Sequence, residues 1–287
     1  MFKEFGINVF QGVVGGVFTS IVLWIFFKLI DYFANQKGLK ELFGITDLSK
    51  YFLIIPSIYV EKTKPMQKSR RAISAKTDLP FFAKNDMKAS LLLYRLIKTI
   101  CQQVDVKEDE SYELNANENI ICIGGSSNDI TWKLLEKHNP LVHYLRYKPA
   151  DLEGIKENPE RHYSKYLDIE GPFKEGIYEK TKDELYQEDK DYTYCLILKL
   201  SNCPNDGTRF IVCGLRSEGT YIAAKYLSSN WQRIRGVLLT KGKGCLTKIL
   251  AFIRFYTFFP WRCPDFAIIL KINKKDYSVD RADTTLL

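Results

Sequence analysis

Residues 119–138 read NIICIGGSSNDITWKLLEKH, and residues 209–231 read RFIVCGLRSEGTYIAAKYLSSNW. Both have one grammar: a short apolar run, a Gly/Ser loop, and the start of a helix. A fully apolar run of four residues, IICI or FIVC, fits a strand buried on both faces, as in a parallel sheet covered by helices. Further runs of this type stand at 51–60 (YFLIIPSIYV), 192–200 (YTYCLILKL) and 265–272 (DFAIILKI), and 82–103 carries leucine and isoleucine at helical spacing. Together they predict a Rossmann-like α/β domain over 46–287, with a mostly parallel sheet and helices on both faces. The acidic, tyrosine-rich stretch of about 141–190 reads as an insertion holding hairpins or a lid.

In an open α/β sheet, loops of this kind lie at the carboxyl edge of the strands, where ligands bind. Glycines let the backbone approach a ligand, and a helix N-terminus favours an anion. The expected ligand residues are Gly124, Gly125, Ser126, Ser127 and Asn128 in the first loop, and Gly214, Arg216, Ser217, Gly219 and Thr220 in the second. Arg70 and Arg71, in the basic stretch after the first strand, add charge. A bulky residue at Gly219 is expected to block the ligand. Neither loop is a Walker A or a GxGxxG sequence. Ser and Asn also cap helices and Gly also makes turns, so a purely structural role for both loops stays open. Glu218 is the weak candidate for a catalytic carboxylate, with Asp129 behind it. His138, His143 and His162 form no metal-ligand spacing with any cysteine, so no metal and no cofactor is expected.

The chain has 287 residues and a mean hydropathy of −0.19. That average hides Phe5–Phe27, 23 residues without an ionisable side chain. About 20 suffice to cross a bilayer core. Residues 1–45 therefore read as an uncleaved single-pass transmembrane anchor and linker. The lysines after the span place the soluble part in the cytoplasm by the positive-inside rule. Gly12, Gly16 and Ser20 share one helix face and would let two copies associate closely. The apolar, basic-flanked insertion of about 241–263, with 245–261 as its apolar centre, reads either as an interfacial helix or as a protein contact.

The formal charge of +8 is uneven. Residues 1–100 hold 15 basic against 7 acidic side chains, 101–200 hold 13 against 21, and 201–287 hold 14 against 6. A uniformly basic nucleic-acid binder is not this pattern, and no direct nucleic-acid partner is expected. The seven cysteines show no pairing rhythm, which suits a reducing compartment.

FLIIPSIYV, ICIGGSSND and FIVCGLRSEGT, in that order, resemble Rossmann-like nucleotide-sensing or nucleotide-processing domains of bacterial conflict (anti-phage defence) systems. The architecture is also similar to CRISPR-associated Rossmann sensors fused to membrane helices, and comparison with the nucleoside deoxyribosyltransferase-like group places no catalytic glutamate. The resemblance implies a membrane-anchored, homo-oligomeric effector in the lipid bilayer, controlled by a nucleotide-type anionic small molecule. A tethered nucleotide glycosidase or transferase, or a non-catalytic scaffold, are the alternatives.

Overall fold

The computed structural model describes residues 2–45, 50–56, 83–109, 112–115, 118–125, 127–157, 174–201, 207–240 and 263–287, with side chains in the first helix from Val17 onward except 18 and 30. Arg70, Arg71, Ser126, His162 and the apolar centre at 245–261 lie outside the described residues.

Helix α1 (Phe2–Phe43) leads into strand β1 (Lys50–Ile55), followed by α2 (Lys84–Lys98), β2 (Gln103–Glu108), β3 (Asn119–Ile123) and α3 (Asp129–His138). An excursion then contains β4 (Val142–Tyr147), α4 (Leu152–Glu157), β5 (Lys174–Glu179) and β6 (Glu184–Gln187). The chain returns through β7 (Tyr192–Leu200), β8 (Arg209–Gly214), α5 (Ser217–Thr240), β9 (Phe266–Asn273) and β10 (Val279–Leu286).

The main sheet has seven strands in the order β10-β9-β7-β8-β3-β1-β2. β8, β3, β1 and β2 are mutually parallel, whereas β7, β9 and β10 join antiparallel. The sheet is thus mixed rather than mostly parallel. The physical reason is the connection from β7 to β8, which returns as a hairpin instead of crossing over a helix. Helices lie on both faces, as expected, with the excursion sharing one of them. The end of α1, α2 and α5 cover one face, with Leu42, Phe43, Leu93, Ile97, Ala223 and Leu227 packed on Leu53, Ile121, Phe210 and Val212. The other face carries α3 and the excursion's three-stranded antiparallel sheet, β4-β5-β6, through Ile130, Leu134, Tyr144, Leu145, Ile177 and Tyr186. The hairpins expected within 141–190 are this second sheet.

The transmembrane anchor is corrected as well. Among the described residues, no helix is long and apolar enough to cross a membrane. The uncharged run ends at Phe27, and Lys28 and Asp31 follow within the same helix. The last turns of α1 belong to the domain core through Leu39, Leu42 and Phe43. Ahead of them, Ile21 to Phe27, Leu29, Tyr32 and Phe33 are exposed, more apolar surface than a monomer ordinarily presents. Ser20 lies on this exposed stretch, and the side-chain surroundings of Gly12 and Gly16 are not among those described.

Candidate functional site

β3 stands between two strands whose following helices lie on the opposite face of the sheet from its own. α2 after β1 and α5 after β8 share one face, and α3 covers the other. The carboxyl ends of β1, β3 and β8 therefore form a topological switch point, the place where ligands bind in open α/β sheets. Both Gly/Ser loops meet there, as the sequence implied.

The first loop is built for the fold. Asn128 is fully buried and caps α3. Its Oδ1 accepts from the N–H groups of Ile130 at 3.0 Å and Thr131 at 3.2 Å, and its Nδ2 donates to the carbonyls of Ile123 and Ile54. The Asp129 N–H donates to Oδ2 of buried Asp109 at 3.1 Å. The first turn of α3 thus already holds an amide oxygen and a carboxylate where a phosphate would sit. Gly124 has φ +97°, a conformation that favours glycine, and a Cβ on Gly125 would lie 2.7 Å from the Tyr144 ring. Ser127 is exposed. Two more carboxylates stand over this edge: Glu175, which accepts from the Tyr144 hydroxyl at 3.0 Å, and buried Asp86. Burial first, and then Glu175 and Asp86, push the Cys213 thiol up. An anion meets like charge here.

The second loop divides between structure and surface. A Cβ on Gly214 would lie 2.6 Å from the Gly219 backbone, so strand and helix touch through their glycines. The Gly214 N–H donates to Thr220 Oγ1 at 3.1 Å. Gly219 faces β7. A Cβ added to it would stand 3.1 Å from Gly214 Cα and 3.6 Å from both Cys195 Cβ and the Tyr194 carbonyl, so a larger residue would strain the fold rather than block a ligand. Arg216 is exposed, but its Nε donates to Glu188 at 2.7 Å, and Lys274 meets the same carboxylate at 2.5 Å. Ser217 accepts from Asn85 Nδ2 and donates to Glu218 Oε2, both at 3.4 Å, which joins the starts of α2 and α5.

From that junction an open groove of about 550 Å³ runs between α2, α5 and the turn linking β9 to β10. Asn85 and Glu218 close its loop end. Tyr221, Tyr226 and Tyr277 line it, with Lys88 and Lys225 as its cations and Asn230, Asp276 and Ser278 as further polar groups. Lys88 Nζ lies 5.7 Å from the Tyr221 ring centroid. Tyr277 holds φ +57°, rare for an aromatic residue, at the groove's lip. Of the sequence-derived site residues, Glu218 alone lines this groove. The tyrosines and lysines come from three separate elements, and only Tyr221 and Lys225, four apart on α5, share a legible helix face.

Among the described residues, no group of three His, Cys, Asp or Glu side chains is placed to hold a metal. His143, fully buried on β4, has its pKa pushed down to about 3 by burial and, secondarily, by Lys180. It is neutral in the native state, while an unfolded histidine titrates near 6.5. Its contribution is complete above pH 6.5 and is lost as pH falls toward 3. His143→Phe should therefore flatten the stability profile between pH 6.5 and 5, an interval in which the wild type loses about 2 kcal/mol through this residue. Urea titrations at half-unit pH steps read this directly, and parallel profiles for the two proteins would refute it.

The chain matches no protein-family model, no curated protein and no solved structure.

Proposed function

We propose that this chain is a binding module for a nucleotide-type small molecule, held in the groove between α2, α5 and the β9–β10 turn. The observation that carries this reading is the groove's lining: three tyrosines and two lysines around about 550 Å³, with Asn85 and Glu218 at one end. Tyrosine faces suit a base, Lys88 and Lys225 suit a phosphate, and Asn85 and Glu218 suit sugar hydroxyls by accepting or donating hydrogen bonds. The second Gly/Ser loop supports the groove by fixing the start of α5 on β8, and neither loop cradles the ligand.

Thermal shift with the four ribonucleoside monophosphates tests the reading, because a ligand bound by the native state alone raises its stability, by about 2.7 kcal/mol at a hundredfold excess over Kd. At least one nucleotide should raise the melting temperature in a saturable way. The double variant Lys88→Glu/Lys225→Glu should abolish that rise and keep its own unliganded melting temperature near the wild-type value, since both lysines are exposed. No shift with any of the four, or an undiminished shift in the double variant, would overturn the proposal. Mass spectrometry of the same mixtures separates binding from processing: a cleaved glycosidic bond would assign Glu218 to chemistry instead of sugar recognition.

A further inference from the structure

Two cations at the mouth of the groove converge on one carboxylate of the chain itself. Arg216 precedes α5, and Lys274 lies in the β9–β10 turn. Arg216 donates through Nε to Glu188 Oε2 at 2.7 Å and meets Oε1 through Nη2. Lys274 Nζ stands 2.5 Å from Oε1. A guanidinium fork and an ammonium on one anion is the arrangement proteins use for phosphate. Burial acts to raise the Glu188 pKa, but the bonds from Lys274 and Arg216 prevail and hold it below the ordinary carboxylate range, so the group is charged at neutral pH.

Glu188 is not fixed by the core. It opens the short link between β6 and β7, where Asp189 Oδ1 accepts from the N–H groups of Asp191 and Tyr192. The link is pinned to the β9–β10 turn from outside, through the Lys274 N–H donating to the Asp191 carbonyl at 2.8 Å. Arg216 lies within electrostatic reach of Glu218 and Tyr277, which both line the groove.

We propose that Arg216 and Lys274 form a second phosphate subsite beside the one Lys88 and Lys225 supply, and that Glu188 occupies it as an internal competitor which the terminal phosphate of a nucleoside diphosphate displaces. This rests on the groove reading for its ligand class and adds the regulation of that site. A nucleoside would enter without disturbing Glu188. A nucleoside diphosphate would exchange one charge-assisted contact for another and free the Glu188 side chain, while the Asp189 turn and the Lys274 N–H to Asp191 carbonyl bond keep the β6–β7 link in place.

Calorimetric titration of wild type, Glu188→Gln and Glu188→Gln/Arg216→Ala with inorganic pyrophosphate, adenosine diphosphate and adenosine tests this. Pyrophosphate and the diphosphate should bind Glu188→Gln about tenfold tighter than wild type, the worth of one charge-assisted contact. Adenosine should bind both equally, and the added Arg216→Ala should erase the gain. In wild type, the carboxylate carbon signal of Glu188 should shift when the diphosphate binds and stay in place when adenosine binds, a readout that needs no variant. Equal pyrophosphate affinity in wild type and Glu188→Gln, or an unmoved Glu188 signal, overturns the competitor while nucleotide binding itself would leave the groove reading intact. A pyrophosphate gain with no binding of adenosine or its diphosphate overturns the groove reading and leaves the subsite standing.

Discussion

Gly214→Ala should lose about 3 kcal/mol or more of stability, the upper range for forcing atoms into a filled core. The added methyl would lie 2.6 Å from Gly219 Cα, Gly219 C and Thr220 N. These are backbone atoms, so no side-chain rotation relieves the clash. Relief needs α5 to move off β8, which breaks the Gly214 N–H to Thr220 Oγ1 bond and opens the packing of Ile222 and Ala223 on the sheet. Gly236→Ala is the control: nothing lies within 4 Å of its added carbon, so removing a mid-helix glycine should stabilise by about 0.5–1 kcal/mol. Urea denaturation reads both as shifts in midpoint at constant slope. A Gly214→Ala midpoint equal to wild type would show that strand and helix can separate there at no cost.

That contact also shows how far the sequence could be read. The apolar runs at 119–123 and 209–213 became adjacent parallel strands because neither face of them meets water. Their period is invisible, yet their length and flanking glycines are decisive. β2 and β10 escaped for the opposite reason. QVDVKE at 103–108 is a largely exposed sheet edge and VDRADTTL at 279–286 an exposed to half-buried one, so tertiary pairing rather than apolar content makes them strands. At the carboxyl edge, Gly and Ser marked the helix starts, and at α3 the chain's own Asn128 and Asp109 bond the first-turn N–H groups. A sequence does not reveal whether a helix N-terminus is filled by a ligand or by the chain. Asn128 was the available signal, since asparagine is among the best N-caps. Asp109, which completes the site from a different loop, gave none. Lys88, Tyr221, Lys225 and Tyr277 gather only once α2, α5 and the β9–β10 turn have docked.

Arg235 offers the second large effect, and it concerns how α1 is held. The side chain is 2% exposed and that of Glu41 is 10% exposed. Nη2 and Nε of Arg235 donate to one oxygen of Glu41 at 2.6 and 3.2 Å. Gly38 makes the room: a Cβ there would stand 3.2 Å from Arg235 Cδ and Nε and 3.3 Å from the Trp231 ring. Removing one partner of a buried pair strands the other charge, so Arg235→Met should cost about 3–5 kcal/mol. Arg235→Met/Glu41→Leu should recover most of that loss, because two apolar groups replace the pair without an uncompensated ion. The double-mutant cycle isolates the coupling, and hydrogen exchange at Leu39–Phe43 locates it. If Arg235 acts only by packing its stem, Arg235→Met would cost little and Glu41→Leu would change nothing at those amides. If the ion pair fixes α1 on α5, each single variant should release the end of α1 and the double variant should close it again. In that case α5 lines the tyrosine-bearing groove from Glu218 to Asn230 and grips α1 at Arg235, joined by one continuous helix.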